Sequence, residues 1–321
     1  VKPGIYYDLP NDKYQTGEGV SKSNLDLVNT SPLHLRAKQT AANDNGPPSK
    51  ALYFGTAFHA LMLEHEVFAS LFVLALELPE NALVTQDDLK AACKESGLPV
   101  SGTKAEQIKR LKDAGCKYVF ADELKAEFAL KHSGKTILSQ DEWDRLHHMR
   151  AAVRAHPAAS KLMGLKGHSE VSFYWRDEVT GELCRCRADK WVPDMGLVVD
   201  LKTTEDASLD EFNRSIAKYR YHVQDAYYSD GIPAAGGGAV NQFAFVAVQK
   251  DARVVEGVAY GVAVYVLDKD SRQLGRDQYR KNLNDYAKAK KSGVWPCYGD
   301  TVQMIGLPGW YMNRATEKLA S

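Results

Sequence analysis

The stretch CRCRADKWVPDMGLVVDLKTTED, residues 184–206, alternates small or apolar residues with charged ones and then ends an apolar run on an acid. Alternation is the period of a strand, so LCRCRADKWV and MGLVVDLKTT read as two successive strands around a Pro-Asp-Met-Gly turn. A third strand, SEVSFYWR from Ser169, precedes them through the turn residues DEVTGE and forms a hairpin with the first. A chain that returns in this way makes distant residues neighbours, bringing Asp189 and Asp200 to one end of the sheet. Lys202 stands two residues after Asp200 and therefore on the same strand face. An Asp-x-Lys pair on a strand is ordinarily a solvated surface pair. Here Leu-Val-Val precedes Asp200, which places the acid where a buried strand emerges. Two carboxylates at such a place attract a divalent cation, magnesium above all, and an ammonium beside them can offset charge developing on a phosphate. Glu170 on the first strand could add a third carboxylate.

Outward from this group the pattern is mixed. One helix is expected from about Ser208 to Asp230, then strands at QFAFVAVQ and within 254–267, then a long helix ending near Gly293. Upstream, Ser21 caps a helix carrying Leu25, Leu27 and Val28 that ends near Pro32, and QTAANDNGPPSK, residues 39–50, reads as a loop. GTAFHALMLEHE, residues 55–66, reads as a helix with Phe58, Leu61 and Met62 inward and His59 at the border of that face. FVLALEL, residues 72–78, looks like a strand, and SQDEWDRLHHMRAAVRAHP is a capped helix ending at Pro157. The fold class is α/β (α+β), a mixed central sheet flanked by helices. His147, His148 and His222 read as helix-surface or packing residues, and Cys184 and Cys186 as small hydrophobes on one strand face.

Composition narrows the function classes. The 321 residues are 44% apolar and 26% charged, with 41 basic and 41 acidic side chains, so no overall basic field draws in nucleic acid. A DNA-binding surface would have to be local. The five cysteines are scattered without a CxxC pair, as expected in a reducing compartment and not in a disulfide or zinc framework. No apolar run approaches the roughly 20 residues of a membrane span, so a soluble, cytoplasmic protein with no membrane partner is the expectation.

Residues 83–116 differ in character. Two short amphipathic helices flank a Gly-Leu-Pro-Val-Ser-Gly loop, and Thr103 with Glu106 forms a capping box. DLKAACKESGLPVSGTKAEQIKRLKDAG resembles a SAP motif, a small helix-loop-helix unit that binds DNA. On that resemblance Leu89, Leu98, Val100, Ile108 and Leu111 would form its core. Lys104, Lys109, Arg110 and Lys112 on or near the second helix would bind phosphates. The expected organisation is one larger domain in two parts, 1–80 and 118–321, around an inserted module at 81–117.

Asp189 followed by Asp200-x-Lys202 is similar to the PD-(D/E)xK nuclease core. Gly55-Thr-Ala-Phe-His59 resembles the G-x-x-x-H motif of its RecB-like branch, Gln224-Asp-Ala-Tyr-Tyr228 the Q-x-x-x-Y helix, and VSKSNLDLVNTSP that branch's N-terminal segment. More narrowly, PGIYYDLPNDKY, CRCRADK, VVDLKTT, YRYHVQDAYYSDG and the final WP and LPGW pieces resemble RecE-type (exonuclease VIII) catalytic domains over nearly the whole chain outside 81–117. The resemblance implies metal ligation by His59, Asp189 and Asp200, with Lys202 as the catalytic lysine. It implies that Glu170 assists through metal or water, and that Gln224 and Tyr228 contact the DNA strand or brace the site. It further implies a magnesium-dependent exodeoxyribonuclease, with manganese able to substitute, acting through two metals on linear double-stranded DNA ends. Such an enzyme removes 5′ mononucleotides and leaves 3′ overhangs for a single-strand annealing protein of the RecT type, and assembles as a homotetrameric ring. An endonuclease or nickase on the same core, and a noncatalytic DNA-binding recombination protein, stay open as alternatives.

Overall fold

The computed structural model describes residues 1–41, 50–252 and 260–320. The expected loop at 39–50 and the first part of the expected 254–267 strand fall largely outside them. Six strands build the central sheet: β1 (Gly4–Tyr6), β2 (His168–Arg176), β3 (Leu183–Val192), β4 (Leu197–Thr204), β5 (Gln242–Gln249) and β6 (Val262–Val266), in that spatial order. All neighbours are antiparallel except β4 and β5, which run parallel with Asp200 opposite Phe245. The sheet is therefore mixed, as the pattern of alternating strands and helices requires.

Each face of the sheet buries its own apolar layer. On one face Phe173, Trp175, Cys184, Cys186, Val198, Phe243 and Phe245 pack against α1 (Lys22–Thr30) and several later helices. On the other, Val199, Leu201, Val246 and Val248 pack against Phe54, Phe58 and Leu61 of α2 (Lys50–Leu63). Strand alternation accounts for the split, since Val198 and Val199 point to opposite layers. The alternation slips at one place. Cys184, Cys186 and Ala188 face the first layer, yet so does Trp191, three residues after Ala188. The slip falls at Asp189 and Lys190, beside the sheet end where the acids gather.

The module at 83–116 has its own small core. Leu89, Ala92 and Cys93 of α3 (Gln86–Glu95) meet Leu111 of α4 (Lys104–Asp113) and Phe120, with Leu98 and Ile108 partly buried at the edge. Both helices carry complete capping boxes, Thr85 with Asp88 and Thr103 with Glu106. Val100 is a correction, because its side chain is 44% exposed and stays out of that core. Phe120 belongs to the core instead, and the short parallel pair Ala82–Leu83 with Val119–Phe120 closes the module's base.

After α5 (Gln140–Ala155) and the strands β2 to β4, two helices stand where one was expected: α6 (Leu209–Tyr219) and α7 (Tyr221–Ala234), broken at Arg220. The break is conformational, since Arg220 takes φ 55° in the left-handed region. Its guanidinium is held by Asp26 at 3.0 Å and by Asn282 of α8 (Lys269–Ser292) at 2.8 Å. Tertiary contacts thus stabilise a conformation that the local helical pattern argues against. The expected strand at 72–78 shortens to Phe72–Leu74, paired with Thr136–Leu138. Among the described residues no helix is long and apolar enough to cross a membrane.

Because the module's core is separate, damage to it should stay local. Leu111→Ala, which truncates a fully buried side chain, should cost about 2–5 kcal/mol of that unit's stability. Hydrogen exchange should then speed up across residues 83–120 and stay unchanged in β2 to β5. Loss of protection throughout the sheet would show that the two cores unfold as one.

Candidate active site

Three acids and a histidine converge where β2, β3 and β4 end against α2. Asp189 lies one step beyond the Lys190–Val199 pair of the β3–β4 ladder. Its Oδ2 accepts a hydrogen bond from the Leu201 N–H at 2.7 Å, so a carboxylate takes the place of a ladder carbonyl. His59 of α2 reaches the same oxygen, with Nδ1 at 3.6 Å. Glu170 faces Asp189 across the β2–β3 ladder, at the position skipped between the Ser169–Lys190 and Val171–Ala188 pairs. Its backbone sits at φ 52°, a left-handed conformation that costs a residue with a side chain on the order of 1–3 kcal/mol. That conformation interrupts the ladder and lets the Glu170 carboxylate join the cluster.

His59, Glu170 and Asp189 each offer a ligand atom within 4.8 Å of the others, the one such group found among the described residues. One imidazole and two carboxylates suit a divalent cation of the magnesium or manganese kind, with positions left for water or substrate oxygens. Asp200 is placed differently. It is 1% exposed, and its two oxygens face Lys202 Nζ at 2.5 Å and the Gln224 side-chain amide, which donates to Oδ1. The structure therefore separates the acids into a triad that borders open space and a buried acid tied to a lysine and a glutamine.

Charge crowding is expressed in the proton affinities. Burial, with Asp189 adding to it, pushes the Glu170 carboxyl up to about 8. Burial pushes Asp200 up to about 6, with Lys202 opposing the rise and Asp189 adding to it. For Lys202 burial works against the ammonium, but Asp200 and Asp189 outweigh it and hold the group above its ordinary value. Lys202 is thus a charged group at neutral pH and no proton acceptor.

Tyr228 is buried against Phe243 and borders the cleft. Gln224, one turn earlier on α7, braces Asp200. The cleft has a volume of about 460 Å³ and is walled by Tyr14, Gly55, His59, Glu64, Glu170, Arg187, Asp189 and Thr203 among others. A Cβ on Gly55 would meet Thr203 only at 3.7 Å, so packing does not demand glycine there; its bare backbone widens the cleft.

Several neighbours escaped the sequence reading. Arg187 approaches Glu170 to 4.0 Å, donates to Ser172 and Leu9, and lies over the Tyr14 ring at 4.5 Å. Its signal was present, since Arg185 and Arg187 alternate with cysteines and so must face away from the apolar layer. Glu64 ends α2 beside the cleft and raises Glu170 further. Tyr221 lies under Lys202, with its ring centre 4.9 Å from Nζ, which no spacing rule signals.

The candidate cations of the inserted module lie outside this cleft. Lys104 donates to the Val84 carbonyl at 2.7 Å, Arg110 holds the Pro99 and Ser101 carbonyls, and Lys112 pairs with Glu123 at 2.5 Å. Lys109 is exposed.

A family model described as a PDDEXK-like domain of unknown function (DUF3799) matches residues 21–308. In solved structures the fold is similar to a candidate exonuclease from Eubacterium rectale, with a TM-score of 0.54 at 13% identity, covering 95% of this chain and 98% of that one. A phage-related exonuclease from Haemophilus somnus aligns at a TM-score of 0.29 and 13% identity, over 64% of this chain and 95% of that one. No curated protein matches.

The Glu170 and Asp200 carboxyls bind protons more tightly in the folded protein than in the unfolded chain. Their contribution to stability is therefore present at low pH and is lost as pH rises from the ordinary carboxylate range through about 8. In metal-free buffer Glu170→Gln should gain stability over the parent as pH rises from about 5 to about 8. Magnesium or manganese should raise the parent's Tm and raise the variant's much less. A metal-induced shift of equal size in both proteins would remove Glu170 from the ligand set.

Proposed function

The chain belongs to the PDDEXK-like DUF3799 family, and on that premise we propose that it is a divalent-cation-dependent nuclease acting on DNA. The observation that carries this reading is the triad His59, Glu170 and Asp189 at a cleft wall, directly beside the Asp200–Lys202 pair. The triad would hold the cation, with Asp200 bordering it. A cation so held supplies electrophilic activation of the phosphate and offsets charge in the transition state.

The chain's own residues account for the remainder. Lys202, kept protonated by two acids, supplies positive charge where negative charge grows on the phosphate oxygens. Asp200 holds that ammonium in place, and Gln224 in turn fixes Asp200 through its amide. Arg187 and Glu64 set the charge around Glu170. Tyr228 closes the cleft's apolar side.

The finer reading is a magnesium-dependent exodeoxyribonuclease, with manganese able to substitute, that enters at the ends of linear duplex DNA. It removes 5′ mononucleotides and leaves 3′ overhangs for strand annealing by a RecT-type protein. The similarity of the fold to a candidate exonuclease supports this reading. A ring of four chains is the assembly proposed with it. The SAP-like module would hold duplex ahead of the cleft, with Lys109 as its open cation and Lys104, Arg110 and Lys112 exchanging internal partners for phosphates.

A duplex labelled at either end, compared with a covalently closed circle, tests the reading. Mononucleotides should appear from the 5′ ends of the linear form only when magnesium is added, and the circle should survive. Asp200→Asn and Lys202→Ala should each lower the rate by about a hundredfold or more while the protein stays folded. Cutting of the circle would make the enzyme an endonuclease. Variants within tenfold of the parent would displace the site.

A further inference from the structure

Three aromatic rings form a stair from the core to the surface beside Lys202. Phe245 of β5 is fully buried and stacks on Tyr221, with ring centres 5.8 Å apart and planes 28° apart. Tyr221 stacks in turn on Tyr219, at 5.7 Å and 27°. Tyr219 is 49% exposed, so the stair ends in a ring open to solvent. Its middle ring is the one that lies 4.9 Å from Lys202 Nζ.

Stacking of Tyr219 on Tyr221 is not a helical property. Residues two apart on a helix point to nearly opposite sides. The left-handed turn at Arg220 brings the two rings onto one side, and Asp26 and Asn282 hold Arg220 in that turn. Lys22 pairs with the same Asp26 at 2.7 Å and donates to the Tyr219 carbonyl at 2.5 Å, so the outer tyrosine is fixed from its backbone as well. Lys22 and Asp26 of α1, Asn282 of α8 and Arg220 between α6 and α7 thus hold in place an aromatic pair whose outer ring is half exposed among the described residues.

The hollow in front of the pair has a volume of about 290 Å³. Thr203 of β4 borders it and also borders the cleft of the acid triad. Among the described residues its walls carry both charge signs in equal number, with Glu205 paired to Lys250 and Glu211 to Arg214. A balanced wall with an aromatic floor suits an uncharged, flat group better than a phosphate. Lys218 Nζ, 5.2 Å from the Tyr219 ring centre, is a cation that a neighbouring phosphate can take over.

We propose that Tyr219, set on Tyr221, is the stacking platform for a nucleobase of the strand being cut, one that neighbours the phosphate held at Lys202. The proposal rests on the nuclease reading and adds a base-binding subsite to it. Stacking on an aromatic ring is tolerant of base identity because every base has a π-face. The platform therefore orients the strand without imposing a sequence.

The test uses a linear duplex carrying 2-aminopurine at the terminal or penultimate nucleotide of the strand that is cut, with phosphorothioate end linkages to slow cutting. Stacking on tyrosine quenches 2-aminopurine fluorescence beyond the level in free duplex. The parent protein should produce that quench at one of the two positions, Tyr219→Trp should keep it, and Tyr219→Ala should lose it. For unmodified DNA, Tyr219→Ala should raise KM by about ten- to a hundredfold with a smaller change in kcat. An abasic nucleotide at the quenched position should weaken the parent to the same extent and the alanine variant no further. If the protein cuts DNA and Tyr219→Ala changes neither the quench nor KM, the platform is wrong and the nuclease reading stands. A parent that neither binds nor cuts the duplex overturns both.

Discussion

The contact between Asp200 and Lys202 organises the centre of this molecule. Both groups are withdrawn from water, Asp200 almost completely. A buried carboxylate is tolerated only when charge and hydrogen bonds compensate its lost hydration. Lys202 compensates one oxygen and Gln224 the other, so a strand and a helix from different parts of the chain are coupled through a single acid. That coupling sets where α7 lies on the sheet. Arg220, which starts α7 in a left-handed turn, is held by Asp26 of α1 and Asn282 of α8. The layer over this face of the sheet is thus joined to its most polar point.

Next to this compensated pair stands a less compensated group. Glu170 and Asp189 are held close together with His59; Asp189 keeps the Leu201 N–H, and Arg187 answers Glu170 only from 4.0 Å. A fold that strains the Glu170 backbone and crowds its carboxylate against another spends stability there. A divalent cation between the three side chains would return it, which is the physical basis for reading the cleft as a metal centre and not as a surface acid cluster. The inserted module contributes a core of its own and keeps most of its basic side chains in internal contacts.

Much of this was legible in the residues. Strand alternation located β2, β3 and β4 and placed Asp189, Asp200 and Lys202 at one sheet end, because the period of two survives in nearly every residue of those strands. His59 and Gln224 were found through motif spacing and not through any physical rule. What escaped were local departures from regular structure. A single residue at positive φ split the expected helix at Arg220, and another turned Glu170 into the triad; neither arginine nor glutamate marks such a conformation as glycine would. Val100 was assigned to the module's core on the resemblance to a SAP motif, yet the loop carries it outward. Tyr221 owes its place under Lys202, and Arg187 its place at the cleft, to those departures and to cross-sheet packing, which no window of sequence contains.

The central claim is that the His59–Glu170–Asp189 triad is a divalent-cation site. The most direct measurement is anomalous diffraction from crystals of the protein soaked in manganese. The account predicts an anomalous peak coordinated by His59, Glu170 and Asp189, beside the Asp200 carboxylate, and loss of that peak in Glu170→Gln. Manganese bound elsewhere with the triad empty, or a peak that persists unchanged in the variant, would contradict it.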